Sequence, residues 1–239
     1  MAALRMDGEE RRKAIVAAAL PLFAKKGFVG TTTREIAAAA GVSEALVFRH
    51  FPTKAALYAE IVQGGCQADP GLIWLESLEP STETLVLMAH FWLSYMILAL
   101  NGDAEDIGNR HRLMAYSYLE DGEFARLTLQ TVHQEVYPKF EACVRAARDA
   151  GDLVEGRVPL QNVFWFGHHV AAGIAWGRLS GSPAVPYQGP IEGVIEDAVR
   201  FLLRAIGVTE AAIAAHYRPT ELARSHPAML LTVPVRAAE

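Results

Sequence analysis

Two short helix signals flanking one glycine constrain this chain more than any other feature. Thr32 and Glu35 stand at the spacing of a reciprocal N-terminal cap, in which each side chain answers the other's backbone N–H. They open a helix predicted over Thr33–Ala40. Gly41 breaks it, and Ser43 is a natural N-cap for a second helix that ends at Phe51. A pair of short helices joined by a tight turn is a helix-turn-helix unit. Pro52 and Thr53 restart the chain into a further helix over Lys54–Val62, with Leu57, Tyr58, Ile61 and Val62 on one face.

Helical periodicity extends in both directions from this unit. Upstream, Ile15, Ala19, Leu22 and Phe23 recur at the spacing of one helix face, which predicts a helix over Glu9–Lys26. Gly27 stands where a left-handed residue ends a helix, and Lys25 and Lys26 occupy the last turn, where cations are favoured. Downstream, Gly64, Gly65, Pro70 and Gly71 mark a change of composition. Helices are then predicted at about 82–101, 109–119, 122–150, 159–180 and 190–206. Alternating β-branched runs, the mark of strands, are nearly absent. The fold class expected is therefore all-α: a small N-terminal domain over 1–53, a larger helical domain over 54–208, and a tail over 209–239 that is at best partly ordered.

Charge separates the two domains. The net charge is −5, yet residues 1–63 carry nine Lys or Arg against six Asp or Glu. A basic head on an acidic body fits one module that meets phosphates and another that does not. Cys66 and Cys143 lack metal-ligand spacing and read as free thiols of a reducing compartment. The N-terminus has no apolar secretory core, and the longest apolar run, Leu85–Leu100, is too short to span a bilayer. A cytoplasmic protein with no membrane partner is the expectation.

The stretch GTTTREIAAAAGVSEALVFRHFPTKAAL, Gly30–Leu57, closely resembles the DNA-binding domain of the tetracycline-repressor family of transcriptional regulators. The matching elements are Gly27-Phe28, Thr32-Thr33, Ile36-Ala37, Ala40-Gly41-Val42-Ser43, His50-Phe51, Lys54 and Leu57. The rest of the chain resembles the family only as an all-helical domain of fitting length. The resemblance implies a homodimer, a double-stranded DNA operator as partner, and a small-molecule effector bound in the second domain. It implies a repressor as the commonest behaviour, and no cofactor. On that reading the three N-terminal helices bind DNA, and a connecting helix from Lys54 leads to a ligand-binding and dimerisation domain.

Residue chemistry supports these implied roles. Thr33 at a helix start, His50 and Lys54 are suited to phosphates, which position a domain but carry no sequence information. Ser43, Glu44, Ala45 and Arg49 on the second helix, with Arg34 beside them, are suited to base edges. Two positions depart from the family's pattern. Ala45 stands where Gly or another small residue is usual, and Phe48 stands where a Tyr hydroxyl usually holds a phosphate. Phe48 is expected to pack at the interface without that hydrogen bond. Arg11, Arg12 and Lys13 read as a solvated helix face rather than a DNA arm.

In the second region, Trp92, Tyr95, Met96, Met114, Tyr118 and Phe124 join large apolar surfaces to a few polar tips, and they are the candidates to line an effector pocket. Gly167, Ala171 and Ala175, with Gly173 and Gly177 on an adjacent track, form small-residue seams that would let a partner helix approach. With the helix near 190–206 they are expected to build a dimer interface across a two-fold axis. His168 and His169 are adjacent and point apart, so they do not form a helical metal pair. No metal-ligand pattern, phosphate loop or nucleophile elbow is present, so no catalytic residue is expected. Two alternatives remain open at this level: a ligand-independent DNA-binding dimer with a solid core, and a helical enzyme or carrier with a vestigial DNA domain.

Overall fold

The computed structural model describes residues 7–66, 70–98, 105–120, 122–180 and 182–220. Every regular element among them is a helix, in the order α1 (Gly8–Gly30), α2 (Thr33–Ala39), α3 (Glu44–His50), α4 (Lys54–Cys66), α5 (Pro70–Ser77), α6 (Thr82–Leu98), α7 (Glu105–Leu119), α8 (Glu123–Asp149), α9 (Leu160–Trp176), α10 (Ile191–Ile206) and α11 (Glu210–His216). The fold is all-α, with an N-terminal helix-turn-helix and a larger helical region, as expected. The chain forms two compact units, Met1–Cys66 with Asp106–Thr131, and Gln67–Glu105 with Val132–Glu239.

In the first unit the predicted helix starts are present, each with its cap. Asp7 and Glu10 cap α1 reciprocally, each accepting from the other's backbone N–H at 2.8 Å. Thr32 and Glu35 do the same for α2, and the Ser43 hydroxyl accepts from Leu46 N at the start of α3. The turn between α2 and α3 runs through Gly41 at φ 66°, a conformation that costs a residue with a Cβ. α1 buries Ile15, Ala19, Leu20, Phe23 and Ala24. Its regular helix is interrupted at Gly27, where φ is 70° and ψ 178°, and one more turn carries the chain to Gly30. Four rings close this unit: Tyr58 lies 5.0 Å from Phe23, 4.8 Å from Phe28 and 5.0 Å from Phe124, centre to centre.

The second unit is built around α6, which is buried on nearly every side by Leu85, Val86, Leu87, Met88, Phe91, Leu93, Met96 and Ile97. An apolar run that surrounds the whole helix needs neighbours on all faces, and α9, α10, α11 and α5 supply them. α10 is one-sided, burying Val194, Ile195, Ala198, Val199, Leu202, Leu203 and Ile206.

Two elements differ from expectation. Pro70 and Gly71 read as punctuation, but they open α5, because a proline's missing N–H costs nothing in a helix's first turn. The segment after Thr209, expected to be partly ordered at best, folds as α11. Thr209 caps that helix, and Ala212, Ile213 and Tyr217 are buried in the core. Thr209 N also donates to Asp152 O at 2.9 Å, next to the isolated pairing of Leu153 with Val208. The predicted end of α6 at 99–101 and the tail beyond Thr220 lie outside the described residues.

Candidate nucleic-acid interface and effector cavity

α3 turns one face to solvent. Ser43, Glu44, Ala45, Phe48 and Arg49 are all exposed, while Val47 and Phe51 anchor the opposite side in the core. Phe48 is 45% exposed. Arg34 is exposed on neighbouring α2. The base-facing candidates read from sequence are therefore all accessible.

Two of the phosphate candidates, Thr33 and Lys54, are already engaged by the protein. The Thr33 hydroxyl donates to the Glu44 carboxylate at 2.5 Å, tying α2 to α3. Glu35 accepts from Thr32 N at 3.0 Å and pairs with the Lys26 ammonium at 2.5 Å. The Lys26 hydrogen bond, seconded by those from Thr32, holds the Glu35 carboxyl down at about 2. Lys54 donates to the backbone carbonyls of Phe28 and Thr31 and lies 4.2 Å from the centre of the Phe28 ring. Burial lowers its pKa, and the charge of Glu120 opposes that shift. Its ammonium thus satisfies carbonyls at the end of α1. The His50 Nε2 is buried without a hydrogen bond, so this nitrogen is not displayed as a donor.

Arg12 is not part of a solvated face. It pairs with Glu60 at 2.7 Å, donates to the His50 carbonyl at 3.2 Å, and stacks 4.5 Å over the Phe51 ring. Glu60, first among these partners, raises the guanidinium's pKa. The side chain fastens α1 to the end of α3 and to α4. Sequence alone gave no sign of it, because residues 12 and 60 have no local spacing relation.

In the second unit an apolar cavity of about 50 Å³ lies between α6, α8, α9 and α10. Trp92 borders it, with Met88, Phe140, Phe164 and Leu202, and His168 is the polar residue of its wall. Of the other five pocket candidates, Tyr95 stacks on Phe91 at 5.8 Å and Met96 is buried in the core of the same unit. Met114, Tyr118 and Phe124 belong to the first unit, where Phe124 packs on Tyr58.

The small residues of α9 divide into two sets. Gly167, Ala171 and Ala175 are buried against this chain's own core, and a Cβ on Gly167 would sit 2.7 Å from Leu202 Cδ1. That seam lets α9 approach α10 within one subunit. Gly173 is exposed with open space where its Cβ would lie, and Gly177 is half-buried. Phe166 and His169 share the outward stripe with Gly173, and Phe166 is 60% exposed.

The model of the bacterial regulatory proteins of the tetR family matches residues 15–61, the span from the core of α1 into α4. The likeness to the tetR family thus rests on this N-terminal segment. The HTH-type transcriptional regulator RutR of Escherichia coli is 37% identical over 79 residues, which span 33% of this chain and 35% of RutR. The chain thus matches about a third of the length of that curated relative. The larger helical region is matched by solved structures. NalD of Pseudomonas aeruginosa, the secondary repressor of a multidrug efflux pump, superposes with a TM-score of 0.61 at 21% identity, over 85% of this chain and 100% of NalD. SmeT, a multidrug efflux pump repressor of Stenotrophomonas maltophilia, gives 0.61 at 23% identity, over 84% of this chain and 92% of SmeT. At these identities the likeness is one of fold.

Proposed function

We propose that this chain is a homodimeric transcriptional repressor of the tetR family that reads a palindromic operator through α3 and is released by a small apolar or aromatic effector. The observation that carries the reading is the outward face of α3, where Ser43, Glu44, Ala45, Phe48 and Arg49 are exposed together on a capped helix-turn-helix. A second helix in this motif enters the major groove, and a two-fold dimer presents two of them about one helical turn, or a multiple, apart. Arg49 is suited to guanine by bidentate hydrogen bonding, and Ala45 and Phe48 to thymine methyls. NalD and SmeT, which share the fold, are repressors.

Release follows from linkage. An effector that binds one spacing of the two heads more tightly than the other shifts the population toward it, and equal affinity shifts nothing. The apolar cavity beside Trp92 is the proposed effector site. Its volume of about 50 Å³ also favours a second reading, a DNA-binding dimer with no effector. Ligand sites usually run to several hundred Å³.

Selection from a random duplex library tests the DNA reading. Enrichment of a palindrome is expected, and a library that stays random through successive rounds would end it. Thermal-shift screening of neutral aromatic compounds separates the two readings, since only the sensor gains stability from a ligand.

A further inference from the structure

The hydroxyl of Thr33, the first residue of α2, donates to Glu44 Oε1 at 2.5 Å across the turn at Gly41. A hydroxyl has one proton to give. With that proton committed, the Thr33 side chain has no donor left for a phosphate oxygen, which only accepts. Glu44, the first residue of α3, is exposed, and it stands four residues before exposed Phe48, on the same helix face. Among the described residues no cation pairs with its carboxylate.

Both ends of this contact are held. Thr32 and Glu35 cap α2, which buries Ile36 and Ala37, while Ser43 caps α3, which buries Val47. The hydrogen bond limits the rotamers of an otherwise free side chain, which lowers the entropy cost of binding through it. A carboxylate on a surface that meets phosphates weakens binding to every sequence unless a base donor offsets the repulsion. In the major groove only cytosine and adenine present an amino donor. Adenine sets the N7 lone pair beside its amino group, and an ionised carboxylate has no proton for it. Guanine and thymine present acceptors there and no amino group. Cytosine N4 is the edge that Glu44 fits.

We propose that Glu44 is a specificity-determining residue that accepts from cytosine N4 in each operator half-site, and that Thr33 positions its carboxylate instead of binding a phosphate. Glu44 Oε1 stays with the Thr33 hydroxyl, and Oε2 takes the cytosine amino group. Thr33 acts through Glu44 and touches no base. The proposal rests on α3 being the helix that enters the major groove.

Duplex selection with the full chain tests it, run with wild type, Glu44→Gln, Thr33→Val and Thr33→Ser. Fluorescence anisotropy then measures each on the selected operator, on its single-base variants and on scrambled DNA. Wild type should prefer cytosine at one position of each half-site by about tenfold. Glu44→Gln should lose that preference at that position alone, since Gln suits adenine N6 and N7, and should bind scrambled DNA more tightly than wild type. Thr33→Val should weaken the cytosine preference with scrambled binding unchanged, and should add nothing to Glu44→Gln. Thr33→Ser keeps the hydroxyl and should keep the preference. A palindrome recovered by wild type and selected unchanged by Glu44→Gln overturns the assignment of Glu44 and leaves the operator reading intact. Thr33→Val weakening every sequence alike would make Thr33 a phosphate ligand and overturn its positioning role. A library that stays random with wild type would remove the operator reading and this inference together.

Discussion

The Lys54 ammonium lies 4.2 Å from the centre of the Phe28 ring and donates to the Phe28 carbonyl, so the first residue of α4 closes the end of α1. A second donation, to Thr31 O at 2.9 Å, spans the link into α2. The cation that the family resemblance assigns to a phosphate is therefore also a structural tie between the helices that carry the recognition unit.

Replacing Lys54 by Met keeps the aliphatic stem and removes both the charge and its hydrogen bonds. The variant should lose about 2 kcal/mol of stability in the absence of any DNA, from the cation–π contact and the carbonyls left unanswered. Urea unfolding measures it. A loss within about 0.5 kcal/mol, the range of an ordinary surface change, would show that Lys54 is free to serve DNA alone.

Gly27 combines a positive φ of 70° with close approach of another side chain, since a Cβ there would fall 2.1 Å from Glu120 Oε1. Gly27→Ala should cost about 1–3 kcal/mol, chiefly the strain of the backbone, because the Glu120 carboxylate is the end of a flexible side chain and can move aside. Adding Glu120→Ala should therefore recover little of it. A double variant as stable as wild type would mean that the backbone strain is absent.

Burial lowers His111 from its ordinary 6.5 to about 4. Its contribution is complete above pH 6.5. As the pH falls toward 4 the unfolded chain takes up a proton that the folded chain refuses, so stability declines by up to about 3 kcal/mol across that window. His90 is also lowered by burial and acts in the same sense, whereas Glu35, held near 2, loses its contribution only below its ordinary 4.5. Denaturant midpoints at pH 7 and pH 5 should therefore converge in His111→Phe relative to wild type. An unchanged gap would contradict the account.

Phe166 on α9 and Phe201 on α10 are each 60% exposed. On the proposed dimer they are covered by a second copy, and Phe166→Glu with Phe201→Glu should sediment as a monomer at concentrations where wild type is dimeric. A double variant that remains dimeric would place the interface elsewhere.

Local signals made much of this fold legible. Thr32-x-x-Glu35, Gly41 and Ser43 define α2, the turn and α3, because caps and turns are decided by atoms a few residues apart. The exposed face of α3 was legible for the same reason, since a short amphipathic helix separates its buried and exposed faces by spacing alone. What escaped depends on distant partners. Tyr217 is 3% exposed, with its hydroxyl 3.3 Å from His90 Nδ1 and Arg200 stacked 4.9 Å from its ring, yet it follows a stretch that reads as a tail. Arg12 finds Glu60 across 48 residues. The aromatic candidates share a composition but not a place, because apolar rings look alike in sequence whether they line a cavity, as Trp92 does, or pack a corner, as Phe124 does.

Fluorescence anisotropy on a selected palindrome, at two salt concentrations, with wild type and Arg49→Ala, tests the central claim most directly. Arg49 is exposed on α3, so its truncation is expected to leave the fold intact. The account predicts tight, salt-sensitive binding by wild type. Arg49→Ala should lose about 1–3 kcal/mol on the palindrome and little on scrambled DNA. Equal binding of wild type to palindrome and scrambled duplex, or an Arg49→Ala variant indistinguishable from wild type on both, would contradict the reading of α3 as the recognition helix.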